Sequence, residues 1–577
     1  MVAPRVAVID RSLCIREKCG YVCMNVCPPN RMGEECIIVE EESRFPIISE
    51  DLCISCGLCV KKCPVSCITI INLPKEPDAP IYQYGVNTFR LYGLPLPREG
   101  ATALVGKNGI GKSTAIKLLA KQLNPNFARF DHKPSEDEIL EKLPIEQRRY
   151  FAQLKEALKI STKPQMIDKL REIFKGKVRD LLKQSGIKRD AIKIFHLEEI
   201  LDRNIPQLSG GELQRLAMAI AYLKPADIYY FDEFTNFLDI EERLRMAVLL
   251  KELAEKKRIV LAEHDLSILD YVSDYIYILH GEENAYGVVS GIKNVRTGLN
   301  EYLQGFLRQE NLRFRDYEIT FSQYSESEIK TAIKIQYDGL AKKFKGFAFS
   351  AGKGAIRKGE IIGLVGKNAL GKSLFIKMLA GVEKADRGKA LGLKVSYKPQ
   401  YITAEEMTVN EVLQGDLNKK TLQKAQRRLK VLPLMEKKLT ELSGGELQRV
   451  VLTRALGQEA DIYLFDEPTA FLDMEQRFEF ARLVRNVISE SEKAAFIVDH
   501  DVVFVDAIAN RLIVFEGESS VEGKASLPMS KRDGMNHFLQ MAGVTMRRDK
   551  DTHRPRINKP GSALDVEQQK SGEYYYS

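Results

Sequence analysis

The sequence predicts an α/β protein: two tandem copies of one P-loop nucleotide-binding domain, preceded by a small α+β domain organised by cysteines. Three observations predict it. Two glycine-rich phosphate loops each follow an apolar, strand-like run, one eight-residue motif recurs downstream of both, and all ten cysteines fall between Cys14 and Cys67. At 577 residues the chain is too long for one core and calls for three or four domains. Its composition, 44% hydrophobic and 29% charged, is that of an ordinary globular protein. No run of about 18 apolar residues is present, which excludes a membrane channel. Residues Met1 to Asp10 lack the basic start and apolar stretch of a signal peptide, so a cytoplasmic location is expected. The net charge of +8 is spread over the whole length and by itself says nothing about nucleic acid.

The first element is the cysteine domain, placed at residues 1–75. Its cysteines form two runs, Cys14, Cys19, Cys23, Cys27-Pro28 and Cys53, Cys56, Cys59, Cys63-Pro64. The second run matches the bacterial ferredoxin spacing, in which three close thiolates grip one cluster and the fourth, before proline, reaches a second. Applying that exchange to both runs gives one 4Fe-4S cluster held by Cys53, Cys56, Cys59 and Cys27. The other is held by Cys14, Cys19, Cys23 and Cys63. Zinc sites rarely end in Cys-Pro and disulfides do not persist in a reducing compartment, so iron–sulfur is the expectation. Cys36 and Cys67 fall outside both runs and are read as small apolar packing residues.

The second element occurs twice. Gly106, Asn108, Gly109, Gly111, Lys112, Ser113 and Thr114 follow Ala101-Thr-Ala-Leu-Val. Gly366, Asn368, Gly371, Lys372 and Ser373 follow Glu360-Ile-Ile-Gly-Leu-Val. Both are complete P-loops between strand and helix. Their glycines turn backbone N–H groups toward the phosphates, the lysine meets the β and γ oxygens, and the serine is a magnesium ligand. Leu-Ser-Gly-Gly-Glu-Leu-Gln-Arg recurs at Leu208–Arg215 and Leu442–Arg449, and each copy precedes a strand ending in two carboxylates, Asp232-Glu233 and Asp466-Glu467. The aspartate is expected to hold magnesium and the glutamate to polarise the attacking water. Asp239 and Asp473 follow, then His264 and His500, each after an apolar strand.

From about Tyr82 to about Gly534 this arrangement resembles the ABC ATPase family. The resemblance implies that the signature of one copy closes over the ATP held by the other. Lys112 then pairs with Ser443, Gly444, Gly445 and Glu446, and Lys372 with Ser209, Gly210, Gly211 and Glu212. It assigns Gln165 and Gln400, each in Lys-Pro-Gln, to magnesium and the γ-phosphate, and His264 and His500 to the phosphate switch. Tyr84 and Phe344 share one offset before the P-loop lysines and are the adenine-stacking candidates. The first copy reads Asp-Glu-Phe234-Thr where the second reads Asp-Glu-Pro468-Thr. Loss of proline is expected to leave the carboxylates intact but to alter their loop.

Repeat spacing locates an insertion. Lys112 and Lys372 are 260 positions apart but Gln165 and Gln400 only 235, so the first copy carries 25 extra residues between P-loop and glutamine loop. They are placed at about 131–159 and read as two charged helices, Ser135 capping the first. A partner contact is expected for them ahead of a core role. The domains that follow are 76–286 for the first copy, 287–325 as a hinge, 326–535 for the second copy and 536–577 as a C-terminal hinge. Basic groups in both hinges, Lys293, Arg296 and Arg308 and then Arg547 to Lys559, are expected to join the halves or touch phosphate. The Pro-containing link from Asn72 to Tyr82 is expected to carry the clamp's displacement to the cysteine domain.

A ferredoxin-like domain ahead of two ABC domains, the insertion, and Leu-Ser-Gly-Gly-Glu-Leu-Gln-Arg in both copies together resemble the E subfamily of ABC proteins, the RNase L inhibitor family. That resemblance covers essentially the whole chain. It implies two ABC domains facing head to tail, two 4Fe-4S clusters, ATP and Mg2+, and an ATPase that splits ribosomes into subunits after termination or rescue. Implied partners are the small ribosomal subunit, with its RNA and protein, and a release factor or its rescue relative. No membrane is expected. The rival readings are a transporter motor, which the cysteine domain disfavours, and an ATP-gated iron–sulfur electron-transfer protein.

Overall fold

The computed structural model describes residues 5–72, 79–131, 133–156, 158–186, 189–321, 332–389, 391–400 and 405–575. Packing divides the chain into two units. One is Met1–Phe237 with Leu249–His264 and Val272–Tyr317, and the other is Leu238–Val248 with Asp265–Tyr271 and Glu318–Ser577.

The first unit opens with the cysteine layer. Strand Arg5–Ile9 pairs antiparallel with Ile68–Asn72, and Ile37–Val39 with Pro46–Ile48. Two short helices, Val22–Val26 and Leu58–Lys62, end on Cys27 and Cys63, both with extended backbone. The following proline is the cause: its ring excludes the helical conformation from the residue before it. The Cys-Pro pair therefore stops each helix at a fixed thiol.

This layer is docked directly on the first repeat. The Asn87 amide donates to the carbonyls of Ala7 and Ile48 at 3.0 and 3.1 Å, and its oxygen accepts from the Ile48 N–H at 2.8 Å. Arg90 pairs with Glu50 at 2.6 Å, and Val6 and Val8 pack beside Ala285. The link expected to carry motion is largely outside the described residues, since 73–78 are not among them. The attachment that the structure shows is this interface.

The repeat's sheet has nine strands, with Ile160–Lys163, Ile228–Asp232, Arg258–Ala262, Ala101–Val105 and Tyr275–Glu282 running parallel in that spatial order. Both faces are covered, which is why these strands read as nearly unbroken apolar runs. The second unit repeats the plan with Val395–Lys398, Ile462–Asp466, Ala494–Val498, Glu360–Gly366 and Arg511–Glu518. In each sheet the P-loop, the paired carboxylates and the histidine leave the carboxyl ends of neighbouring parallel strands. That is where the open ends of such sheets gather ligands.

Three segments differ from expectation. The extra residues form helices Glu136–Lys142 and Ile145–Glu156, the first closed by a capping box of Ser135 and Glu138. They are not a surface ornament: Ile139, Leu143, Tyr150 and Leu154 are buried in the repeat's main core. The Tyr150 hydroxyl donates to the Leu119 carbonyl at 2.7 Å and meets the Tyr230 hydroxyl at 2.6 Å. Much of the segment 287–325 belongs to the first repeat: Tyr286–Val289 and Lys293–Asn294 pair with strand Tyr275–Glu282, and helix Val295–Gln304 follows. Lys293 is neutralised by Glu301 and Glu310 at 3.2 and 3.0 Å. Residues 322–325 of that span lie outside the described residues.

In the tail, helix Lys531–Ala542 crosses the expected boundary at 535/536, and hairpin Met546–Arg548 with Pro555–Ile557 and helix Ala563–Ser571 follow. Its arginines are paired rather than solvated. Arg548 meets Asp506 at 3.0 Å, and Arg556 meets Asp270 at 2.5 Å and Asp549 at 3.2 Å. Arg554, fully buried, lies 3.6 Å from Asp270.

Candidate functional site

The two phosphate loops are built alike. Lys112 Nζ donates to the carbonyls of Gly106 and Lys107, both at 2.7 Å, and Lys372 Nζ to those of Gly366 and Lys367. Glycine is required at 111 and 371, because a Cβ would stand 2.7 Å from the ring of Phe89 or of Phe349. The loops differ most consequentially at their fourth position. Gly109 has φ 69°, and its counterpart Ala369 takes a similar left-handed φ of 60°, a conformation that costs a side chain about 1 kcal/mol.

Ser113 and Ser373, at the starts of helices Lys112–Leu119 and Lys372–Leu379, meet the aspartates. Ser373 Oγ donates to Asp466 Oδ1 at 3.1 Å, and Ser113 bonds Asp232. Burial pushes both aspartates up to about 6, since a charge in this setting is poorly solvated. Among the described residues Asp466 Oδ2 is buried with no hydrogen-bond partner. A serine hydroxyl beside an unsatisfied carboxylate oxygen fits a hard divalent cation such as magnesium.

The glutamates beside them are fixed from several sides. Gln165 Nε2 donates to Glu233 Oε1 and Gln400 Nε2 to Glu467 Oε1, both at 2.7 Å. His264 Nε2 lies 3.6 Å from Glu233, and His500 Nε2 lies 3.3 Å from Glu467. Burial raises both carboxyls, but the adjacent histidine and the P-loop lysine outweigh it. Glu233 falls to about 2 and Glu467 is lowered too, so both are carboxylates throughout the physiological range. Both also sit in the left-handed region, φ 49° and 48°, a strain of about 1–3 kcal/mol that the surroundings must hold.

The residues that hold it went unread in the sequence. Lys163 and Lys398 donate to the main-chain carbonyls of Asp232-Glu233 and of Asp466-Glu467 at 2.8 and 2.9 Å. Gln214 and Gln448, from the recurring Leu-Gln-Arg, donate to the carbonyls of Glu233 and Glu467. Glu263 and Asp499, just before the histidines, accept from the N–H groups of Thr235 and Thr469 at 2.7 and 3.1 Å. Their presence in matched pairs was the available signal. The loop after the carboxylates is not altered by Phe234, contrary to expectation: Phe237 and Phe471 beyond it take matching φ values of 64° and 62°.

Ser209 and Ser443 cap helices Gly210–Leu223 and Gly444–Gly457, in reciprocal boxes with Glu212 and Glu446. Within the second unit Asp239 Oδ2 accepts from the N–H of Asn368 at 3.0 Å, so a residue of the first copy's sequence meets the second copy's P-loop. Tyr84 is half exposed, with its hydroxyl 3.1 Å from Thr114 Oγ1. Phe344 is also exposed, with Lys342 over its ring, and has no such tie to its P-loop in the hydrogen bonds of the described residues.

The thiols fall into two groups. Cys14, Cys19, Cys23 and Cys63 line one cavity, which draws Cys63 from the second run to three cysteines of the first. Cys53, Cys59 and Cys27 lie close together in the other group, and Cys56 adjoins Cys59. An all-sulfur donor set in each group fits iron–sulfur chemistry. Cys36 and Cys67 are buried in the layer's apolar core, and both also lie beside the thiol groups. Cys36 adjoins Cys27, Cys53 and Cys59, and Cys67 lines the first cavity with its sulfur 3.4 Å from that of Cys63. The Cys67 hydrogen bond holds Cys63 down at about 6 and Cys14 at about 7. Burial acts the other way on their fellow thiols, pushing Cys23 up to about 11 and Cys59 up to about 12.

Comparison with known proteins agrees with both halves of this description. A family model described as ABC transporter matches residues 92–236 and 351–470, and one described as 4Fe-4S binding domain matches 46–69. ABC transporter E family member 1 of Arabidopsis thaliana is 41% identical, over 99% of this chain and 98% of that protein. A solved structure titled as a model of ribosome-bound archaeal Pelota and ABCE1 contains a chain 46% identical, with a TM-score of 0.94 and 100% of both chains covered. The crystal structure of an archaeal ribosomal stalk protein aP1 with the archaeal ribosome recycling factor aABCE1 matches at 44% identity. There the TM-score is 0.82, with 87% of this chain and 100% of that one covered.

Proposed function

Because this chain belongs to the E family of ABC proteins, an ATPase with an iron–sulfur domain, we propose that it spends ATP to split ribosomes into subunits after termination or rescue. The observation that carries the reading is the end-to-end match, cysteine layer included, to the ribosome-bound archaeal chain at a TM-score of 0.94. Partners on this reading are the small subunit and a release factor or its rescue relative of the kind that Pelota exemplifies, and the work is done in the cytoplasm.

The chain's own residues divide the task. Lys112 and Lys372, with the N–H groups of their loops, bind the phosphates, while Tyr84 and Phe344 stack on the adenines. Ser113 with Asp232, and Ser373 with Asp466, would hold Mg2+, assisted by Gln165 and Gln400; the ion's part is to neutralise charge on the phosphates. Glu233 and Glu467, held ionised and aimed by glutamine and histidine, orient water, and His264 and His500 contact the γ-phosphate. Ser443 to Glu446 cap the nucleotide on Lys112, and Ser209 to Glu212 the one on Lys372, so that ATP favours a closed state. Closing is a differential affinity, and only that difference is available for work. Two 4Fe-4S clusters, on Cys14, Cys19, Cys23 and Cys63 and on Cys27, Cys53, Cys56 and Cys59, would stabilise a layer too small to be secure alone. Docked through Asn87 and Arg90, that layer moves with the first repeat.

The test is sedimentation of ribosomes with the protein and a non-hydrolysable ATP analogue. Co-sedimentation with the small subunit, and subunit release when ATP and a release factor are supplied, is expected. Protein that stays at the top of the gradient, or leaves assembled ribosomes intact, refutes the reading.

A further inference from the structure

The cavity enclosed by Cys14, Cys19, Cys23 and Cys63 has a fifth sulfur in its wall. Cys67 lies on the strand-forming side of the Cys63-Pro64 turn, 4% exposed, immediately before the strand Ile68–Asn72. Its sulfur is 3.4 Å from that of Cys63 and in hydrogen-bonding reach of Cys14. The turn that brings it there is fixed locally: Ser66 takes a left-handed φ of 49°, and its N–H bonds the Cys63 carbonyl at 3.3 Å. Cys67 is held from the other side too, since its carbonyl accepts from the Asp10 N–H at 2.8 Å. The other group's extra cysteine, Cys36, has a 3.9 Å contact to the Ser49 carbonyl besides its approach to Cys27, an alternative partner that Cys67 lacks among the side-chain contacts of the described residues. A cubane offers four iron corners to protein, and this cavity presents five sulfurs.

We propose that Cys67 is a reserve ligand for the cluster of the Cys14 group, able to replace Cys63 at its iron. The exchange involves no oxidation or reduction. The Cys63 sulfur–iron bond breaks, Cys67 loses its proton and bonds the same iron, and the departing Cys63 thiolate takes up a proton. The two thiols are already in van der Waals contact, so the replacement needs a side-chain rotation and not a movement of the backbone. The inference rests on the two-cluster reading given above, and the test separates the two.

Full-length protein is prepared with Cys63→Ala, Cys67→Ala and both, alanine being used because serine oxygen can itself bind iron. Iron, sulfide and the EPR spectra of the protein as isolated and after dithionite reduction are measured, with ATP binding as the check on folding. Cys67→Ala should match the unmodified protein in content and spectrum. Cys63→Ala should keep its full iron and sulfide but shift the signal of one cluster, and the double variant should lose about half of both. If Cys63→Ala alone loses half its iron, or shows the signal of an oxidised three-iron cluster, Cys67 does not substitute and the proposal fails. Should the double variant not fold, the Cys63→Ala spectrum decides alone: an unshifted signal also overturns the proposal. Protein with stoichiometric zinc or with one cluster before any substitution refutes the two-cluster reading instead.

Discussion

Replacing Asp270 with asparagine tests how the tail is held. Asp270 is 3% exposed and receives Arg556 at 2.5 Å, while fully buried Arg554 lies 3.6 Å away. Arg556 keeps a second acid, Asp549, at 3.2 Å, but Arg554 retains only a 3.4 Å contact to the Leu266 carbonyl and its distance from Asp549's field. Asparagine preserves shape and removes the charge, leaving a buried guanidinium with only the field of Asp549. Breaking such a pair costs about 3–5 kcal/mol. At about 2–4 °C per kcal/mol for a domain of this size, the transition that includes the tail should fall by roughly 6–20 °C in scanning calorimetry. Arg556→Met in the same background should show non-additivity of about 0.5–3 kcal/mol. A fall of less than about 2 °C would mean that water reaches Arg554, and the reasoning from burial would be wrong. Because Asp270 lies on the helix Leu266–Val272, which begins two positions past His264, ATPase turnover by the first copy is expected to change along with stability.

Glu233→Gln with Glu467→Gln preserves shape and removes the charge that aims water, so ATP should bind and persist unhydrolysed; filter binding that finds no trapped ATP, or turnover at the unmodified rate, sinks the assignment. Asp232 and Asp466 are raised to about 6, above the ordinary aspartate range, so protons compete with the ion as pH falls through that value. The magnesium-dependent gain in ATP affinity, read by calorimetry, should therefore shrink below about 6 while binding without magnesium changes little. Asn87→Ala leaves the Ile48 N–H without its acceptor, a loss of about 1–3 kcal/mol that should appear as faster hydrogen exchange at Ile48, with ATP hydrolysis retained and ribosome splitting impaired.

Motif and spacing made the chemistry legible because chemistry needs particular atoms at particular intervals. The P-loops, the paired carboxylates and the histidines stand on the strands that the sequence indicated. What escaped were residues acting through the backbone. Lys163, Lys398, Gln214 and Gln448 bind main-chain carbonyls, and a carbonyl leaves no mark in sequence. The insertion misled because its helices are polar on most positions, yet four apolar side chains at helical spacing are enough to enter a core. The 287–325 and 536–577 segments misled because charge was read without its partners: Lys293 and Arg556 meet acids that are distant or unremarkable in the sequence. Cys67 was set aside because it falls outside both cysteine runs, and run spacing does not show which cavity a residue beyond the run faces.

The attachment of the cysteine layer has a mechanical consequence. Asn87 engages two backbone segments through three hydrogen bonds of one side chain, and Glu50 with Arg90 acts beside it. Bonds arranged side by side share a shearing load and give way together, whereas bonds in series would yield one at a time. The joint therefore has the character of a latch: stiff up to a threshold, then free. A pull below that threshold reaches the layer through these side chains.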